Sequence, residues 1–207
     1  MVYNSEKTMQ DLIVIGAGPA GLTAGLYAGL YGLQTRVIGE TIGGALKLAP
    51  MIFDYPGVKA MKGSDWLDAM FAQLKEAGAE IIEKKITAIS RNDQGSFKVN
   101  AQDEMFETLS LIFASGNEKR RPQYSGSDLA KSMGIELTQE NFILVDEKMR
   151  TNIPGIYAAG NCLQYPLGAE QLIDAAAQGA RTAAQVYEYL KGKKAPLLWG
   201  KATIPNL

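Results

Sequence analysis

The chain has 207 residues, 46% of them hydrophobic and 21% charged, which suits one full soluble domain and excludes a large multidomain machine. Its 21 basic and 22 acidic side chains leave a net charge of −1, so nucleic acid and membranes are not expected partners. Histidine is absent and cysteine occurs once, at Cys162; this excludes imidazole catalysis, a histidine or thiolate metal site, an internal disulfide and a Cys-x-x-Cys pair in these residues, so redox chemistry needs a bound cofactor.

Residues 1–9 are polar and lack the basic start and apolar stretch of a secretory signal, so a cytoplasmic location is expected. Residues 12–33 are apolar, but their glycines and proline argue against a membrane span. Ile13 to Ile15 read as a buried parallel strand that stops at Gly16. Leu22 to Leu30 read as a helix closed by Gly32, and Gln34 to Ile38 as a second strand. Ser64 is expected to cap a helix through Lys75, with Leu67, Met70, Phe71 and Leu74 on its apolar face and Gly78 at its end; Trp66 belongs to the same core.

Ile81 and Ile82, Ile86 to Ser90, Ser96 to Val99 and Met105 to Thr108 read as a small antiparallel meander, turning at Asn92-Asp93-Gln94-Gly95. Leu109 to Ala114 reads as a second buried strand ending at Ser115-Gly116. Residues 117–126 are polar and carry a proline and a glycine, as a surface connection does. A short helix from Ser127 to Met133, strands at Phe142 to Val145 and Gly155 to Ala158, and a long alanine-rich helix from Ala169 to Leu190 complete the set. The predicted class is α/β: a central parallel sheet plus a small antiparallel β-meander. Residues 1–9 read as an N-terminal extension, 10–191 as one domain and 192–207 as a tail.

Gly16-Ala17-Gly18-Pro19-Ala20-Gly21 follows a strand and opens a helix, the context in which G-x-G-x-x-G binds a dinucleotide. Gly16 permits the tight turn, Gly18 lets backbone N–H groups approach a pyrophosphate, and Gly21 lets helix pack on strand. The helix N-terminus presents its positive end to the phosphates. Glu40, just past the second strand, is placed to hydrogen-bond an adenosine ribose. The motif alone admits NAD, FAD or another ADP-containing nucleotide.

Further blocks carry a resemblance. Gly16 to Gly21, Gly43-Gly44-Ala45-Leu46, Asp54-Tyr55-Pro56-Gly57, Ala114-Ser115-Gly116, Val145 to Thr151 and Pro154 to Asn161 resemble, in order, the FAD domain of low-molecular-weight thioredoxin reductases. The resemblance implies a single Rossmann-like FAD-binding domain. Beside Gly16, Gly18, Gly21 and Glu40 it assigns Pro19, Ala20 and Leu46 to the cofactor, and it places Gly43 and Gly44 near the flavin and adenosine linkage and Asp54 beside the isoalloxazine. Ala114, Ser115 and Gly116 are also assigned to the cofactor. Gly160-Asn161 stands where the family has Gly-Asp on ribitol and pyrophosphate, and Asn161 keeps an oxygen acceptor without the charge. Glu170-Gln171 stands for the family's Arg-Gln, so the N–H groups of Gln171 and Leu172 are expected to meet the flavin N1–C2=O edge, with Glu170 a solvated first-turn acid.

The chain also departs from that family, whose members carry an NADPH domain with a Cys-x-x-Cys between these blocks. Here 28 residues, Asn117 to Leu144, fill the gap, and a minimal βαβ needs about 30. The expectation is an FAD-dependent oxidoreductase or electron-transfer protein that cannot perform dithiol–disulfide chemistry alone and uses a redox partner protein or transient NAD(P)H. The alternative is a non-catalytic flavin carrier, sensor or subunit. No residue is assigned a catalytic role; Cys162 and Tyr165 are read as structural and Lys119-Arg120-Arg121 as a solvated loop face. A homodimer is expected, because a bare flavin face is a liability in water.

Overall fold

The computed structural model describes residues 9–117, 126–164 and 166–198. Strand β1, Gln10–Ile15, leads through helix α1, Pro19–Leu30, to strand β2, Thr35–Gly39, which pairs with β1 in parallel. Pro19 fits the first turn because its missing N–H has no intrahelical acceptor there. A 3-10 turn, Gly44–Leu48, precedes helix α2, Gly63–Glu76, and strand β3, Glu80–Glu83.

Strands β4, Ile86–Arg91, β5, Phe97–Ala101, and β6, Glu104–Phe113, form the antiparallel meander. Asn92 Oδ1 accepts the N–H groups of Gln94 and Ser96 and shapes its first turn. Helix α3, Gly126–Ser132, strand β7, Ile156–Ala158, and helix α4, Leu172–Lys191, complete the chain. The sheet runs β3-β2-β1-β6-β5-β4, and β7 also pairs with β6.

Side chains alternate across a strand, and here each sheet face is covered. Leu12, Val14, Val37 and Ile112 meet α1, α2 and α4 through Leu22, Leu74 and Val186. Ile13, Ile15, Ile38, Leu111 and Phe113 meet Phe97, Val99, Ile143, Met149 and Leu163 on the other face. A Cβ on Gly179 would strike the Ala20 carbonyl, so α4 crosses α1 in backbone contact. The fold is mixed α/β with a mainly parallel central sheet and antiparallel strands added to it.

Several boundaries differ from expectation. Ile81 and Ile82 lie in β3, parallel to β2, not in the meander; a short apolar run does not reveal its partner. Met105 to Thr108 and Leu109 to Ala114 form one strand, β6, which divides one edge between antiparallel β5 and parallel β7. Phe142 to Val145 makes only isolated bridges at Ile143. Lys62 takes the N-cap position of α2, and Ser64 donates instead to Asp65 Oδ1 at 3.1 Å. Helix α4 begins at Leu172, not Ala169, because Glu170 has φ +60°. The cluster Lys119-Arg120-Arg121, Tyr165, residues 1–8, most of the 117–126 connection and residues 199–207 lie outside the described residues.

Candidate functional site

The chain order reverses at β1, which has β2 on one side and β6 on the other. At such a point loops diverge from the carboxyl ends of parallel strands and leave a crevice. Backbone hydrogen bonds fix its floor: Gly16 N–H donates to Ile38 O at 2.7 Å, Ala114 N–H to Ile15 O at 2.8 Å and Ala159 N–H to Phe113 O at 2.9 Å. Above them lies a cavity of about 350 Å³ lined by the turns after β1, β2, β6 and β7 and by the start of α4.

Gly16 has φ +107°, and a Cβ there would collide with the Ala114 carbonyl, so the β1–α1 turn and the β6 exit are in backbone contact. At Gly18 a Cβ would meet no atom within 4 Å, so this position opens into the groove. Gly18 is the N-cap of α1, without a side-chain cap, and the first turn holds no acid. The helix therefore offers its first N–H groups and positive end to whatever enters. Glu40 lines the cavity from the end of β2, and Lys85 Nζ stands 3.8 Å from its carboxylate.

Asn117, Asn161 and Glu170 build the opposite wall. Asn117 Nδ2 donates to Glu170 Oε1 at 2.8 Å, and Glu170 N–H donates to Asn161 Oδ1 at 3.1 Å. Behind them Gln178, 3% exposed, is fully engaged. Its Oε1 accepts Gly160 N–H at 2.8 Å, and its Nε2 donates to Asp174 Oδ2 at 2.7 Å and to the Leu167 carbonyl. A buried amide with all these partners fixes the turn it holds.

Most of the residues assigned from sequence come together here: Gly16, Gly18, Pro19, Ala20, Glu40, Gly44, Leu46, Ala114, Ser115, Gly116, Gly160, Asn161, Glu170, Gln171 and Leu172 line the cavity. Gly21 lies behind the lining, where a Cβ would strike the Gly16 carbonyl, and Gly43 packs against Leu67. Asp54 is exposed on the loop after Ile52 and does not line the cavity; the pattern Asp-Tyr-Pro-Gly gives a turn but not its direction. Gln171 is the N-cap of α4, so the first helical N–H groups belong to Leu172 and its successors. Cys162 is buried, its Sγ 3.4 Å from Phe113 O and 3.3 Å from Ala159 O.

The sequence reading missed Ala17, Gly39, Thr41, Ala45, Ala49, Asn117 and Ala175 in the lining, and Gln178 behind it. The small residues carry no chemical signal. Gln178 does, as a polar residue on the apolar face of α4 three positions after Ala175.

The profile of the pyridine nucleotide-disulphide oxidoreductase family matches residues 10–130 and 56–183. Thioredoxin reductase of Listeria monocytogenes is 33% identical over 133 residues, 63% of this chain and 41% of that protein. A ferredoxin–NADP reductase of Lysinibacillus sphaericus is 27% identical over 165 residues, 75% of this chain and 46% of that protein. The chain thus spans under half the length of these curated relatives. Among solved structures, a thioredoxin reductase from Gloeobacter violaceus superposes with a TM-score of 0.79 at 17% identity, covering 94% of this chain and 100% of that one. A ferredoxin-flavin thioredoxin reductase from Clostridium acetobutylicum does so at 0.74 and 20%, covering 89% and 98%.

Proposed function

The chain belongs to the pyridine nucleotide-disulphide oxidoreductase family, whose cofactor is FAD, and from that premise we propose an FAD-dependent oxidoreductase that passes electrons at a flavin lying in the groove described above. The observation that carries this reading is the continuity of the groove, from Glu40 past the uncapped start of α1 to Asn161 and Leu172. The open space at Gly18, where a side chain would intrude, fits a pyrophosphate. When bound, FAD supplies a ring that accepts and returns electrons.

In this reading Glu40 accepts from a ribose hydroxyl, and the first N–H groups of α1 hold the pyrophosphate. Gly16, Gly44, Leu46, Ala114, Ser115 and Gly116 shape the walls. The start of α4 presents backbone N–H groups to the far end of the cofactor. Asp54 has no part in this groove. With one cysteine in these residues, dithiol–disulfide exchange falls to a partner protein, and NAD(P)H binds transiently or at a partner's site. Residues 10–191 act as one domain, with the 117–126 connection in place of a nucleotide domain. A cytoplasmic homodimer belongs to the same reading; Leu48 and Phe53, 71% and 78% exposed, are apolar surface that a second copy would cover.

Anaerobic mixing of the FAD-loaded protein with NADH, NADPH and reduced ferredoxin tests the activity. Bleaching of the flavin by one of the three is expected, and failure with all three would leave a non-catalytic flavin carrier. Light scattering after size exclusion tests the dimer, which a monomeric mass refutes.

A further inference from the structure

Glu170 lies where α4 closes the groove, just before the helix begins, and its φ of +60° keeps it out of the helical turn. Two hydrogen bonds then fix it. Its N–H donates to Asn161 Oδ1 at 3.1 Å, and its Oε1 accepts from Asn117 Nδ2 at 2.8 Å. Asn117, Asn161 and Glu170 all line the cavity, so both the backbone and the carboxylate of Glu170 are tied to other parts of the wall. Asn117 belongs to the β6 exit, and its bond draws the carboxylate towards that exit, across the end of the groove, although Glu170 as a whole is exposed. The other acid of this region, Asp174, accepts from Gln178 Nε2 and does not line the cavity. Glu40 stands on the opposite wall with Lys85 Nζ 3.8 Å away.

Uptake of two electrons and one proton leaves a flavin ring with one negative charge. We propose that the Glu170 carboxylate sets the potential of the site: it opposes that charge and lowers the midpoint potential of FAD held in the groove, making the reduced protein a stronger reductant. This rests on the FAD groove proposed above. The effect is Coulombic and acts over several ångströms, so it needs the carboxylate near the ring and not in contact with it. It works against the start of α4, whose backbone N–H groups stabilise the same charge. Asn117 is the positioning residue, since its bond keeps the carboxylate on the wall.

The test is the midpoint potential of the FAD-loaded wild type, Glu170→Gln and Glu170→Gly, from anaerobic dithionite titration against an indicator dye, with oxidised FAD affinity read by flavin fluorescence. Glu170→Gln keeps an oxygen for Asn117 Nδ2 and removes the charge; Glu170→Gly suits the positive φ and removes the whole side chain. In both variants the affinity for reduced FAD relative to oxidised FAD should rise about threefold to tenfold. For two electrons that is an upward shift of about 14 to 30 mV. A residue that only braced the wall would change both affinities alike and leave the potential where it was, and that result overturns the proposal, as does a fall in potential. Should Glu170→Gln not fold, Glu170→Gly decides by the same measure. A wild type that takes up no FAD instead removes the groove reading, and this proposal with it.

Discussion

Gln178 accepts Gly160 N–H at 2.8 Å across eighteen residues of sequence, so the turn after β7 is held by the second turn of α4. The same amide carries Asp174 and the Leu167 carbonyl, which makes it the joint between the strand ends and the helix that closes the groove. Replacing Gln178 by Leu removes one acceptor and two donors from a buried place. A loss of about 2 to 3 kcal/mol is expected in denaturant unfolding, with FAD affinity falling alongside. Unchanged stability would show that water replaces the amide.

Two glycines of one motif are expected to separate. Gly21→Ala puts a methyl on the Gly16 carbonyl and should destabilise the fold by about 3 kcal/mol or more. Gly18 has φ −83° and open space before it, so Gly18→Ala should fold and melt like the wild type while binding FAD at least about tenfold more weakly, since its methyl occupies phosphate space. Equal FAD affinity in Gly18→Ala would place the cofactor elsewhere.

FAD affinity should be nearly independent of salt. The charged side chains lining the groove, among the described residues, are Glu40 and Glu170, so in the proposed binding mode the pyrophosphate would rest on backbone N–H groups whose short-range bonds salt barely screens. Fluorescence titrations at low and high ionic strength check this, and a steep fall would reveal a lysine or arginine on the phosphates.

Burial, and after it the Tyr189 phenol, push the Tyr157 hydroxyl up to about 12 from its ordinary 10.0. The folded chain keeps this proton where the unfolded chain has lost it. Its contribution is whole below pH 10.0 and fades as the pH rises towards about 12. A two-unit difference corresponds to roughly 2 to 3 kcal/mol. Tyr157→Phe should flatten the alkaline loss of stability over that range, and an unchanged slope refutes the assignment.

The first βαβ unit was readable from residues 13 to 38 because its determinants are local: a β-branched run, a glycine turn, a proline at the first helical position and a capping glycine all act within a few residues. The direction of the 53–60 loop was not. Asp54 looked like a site residue by its motif, yet the loop is anchored by the antiparallel bridge of Ile52 with Met61, which carries Asp54 out to solvent. The start of α4 was misread for a related reason. Ala169 and its neighbours have helical composition, but Glu170 is turned to φ +60°, and its N–H and carboxylate bond to Asn161 and Asn117 rather than to a helical turn.

The sequence by itself determined the strand–turn–helix at Gly16, the buried apolar runs of the central strands, and the lack of a thiol pair within these residues, since each follows from neighbouring residues or from composition. Only the tertiary structure decided that the Asn161 side chain accepts Glu170 N–H, that Asp54 stands outside the groove, and that Gln178 holds its far wall. Those outcomes depend on donors and acceptors brought together from segments far apart in the chain, and hydrogen-bond geometry of that kind leaves no periodic trace in a sequence.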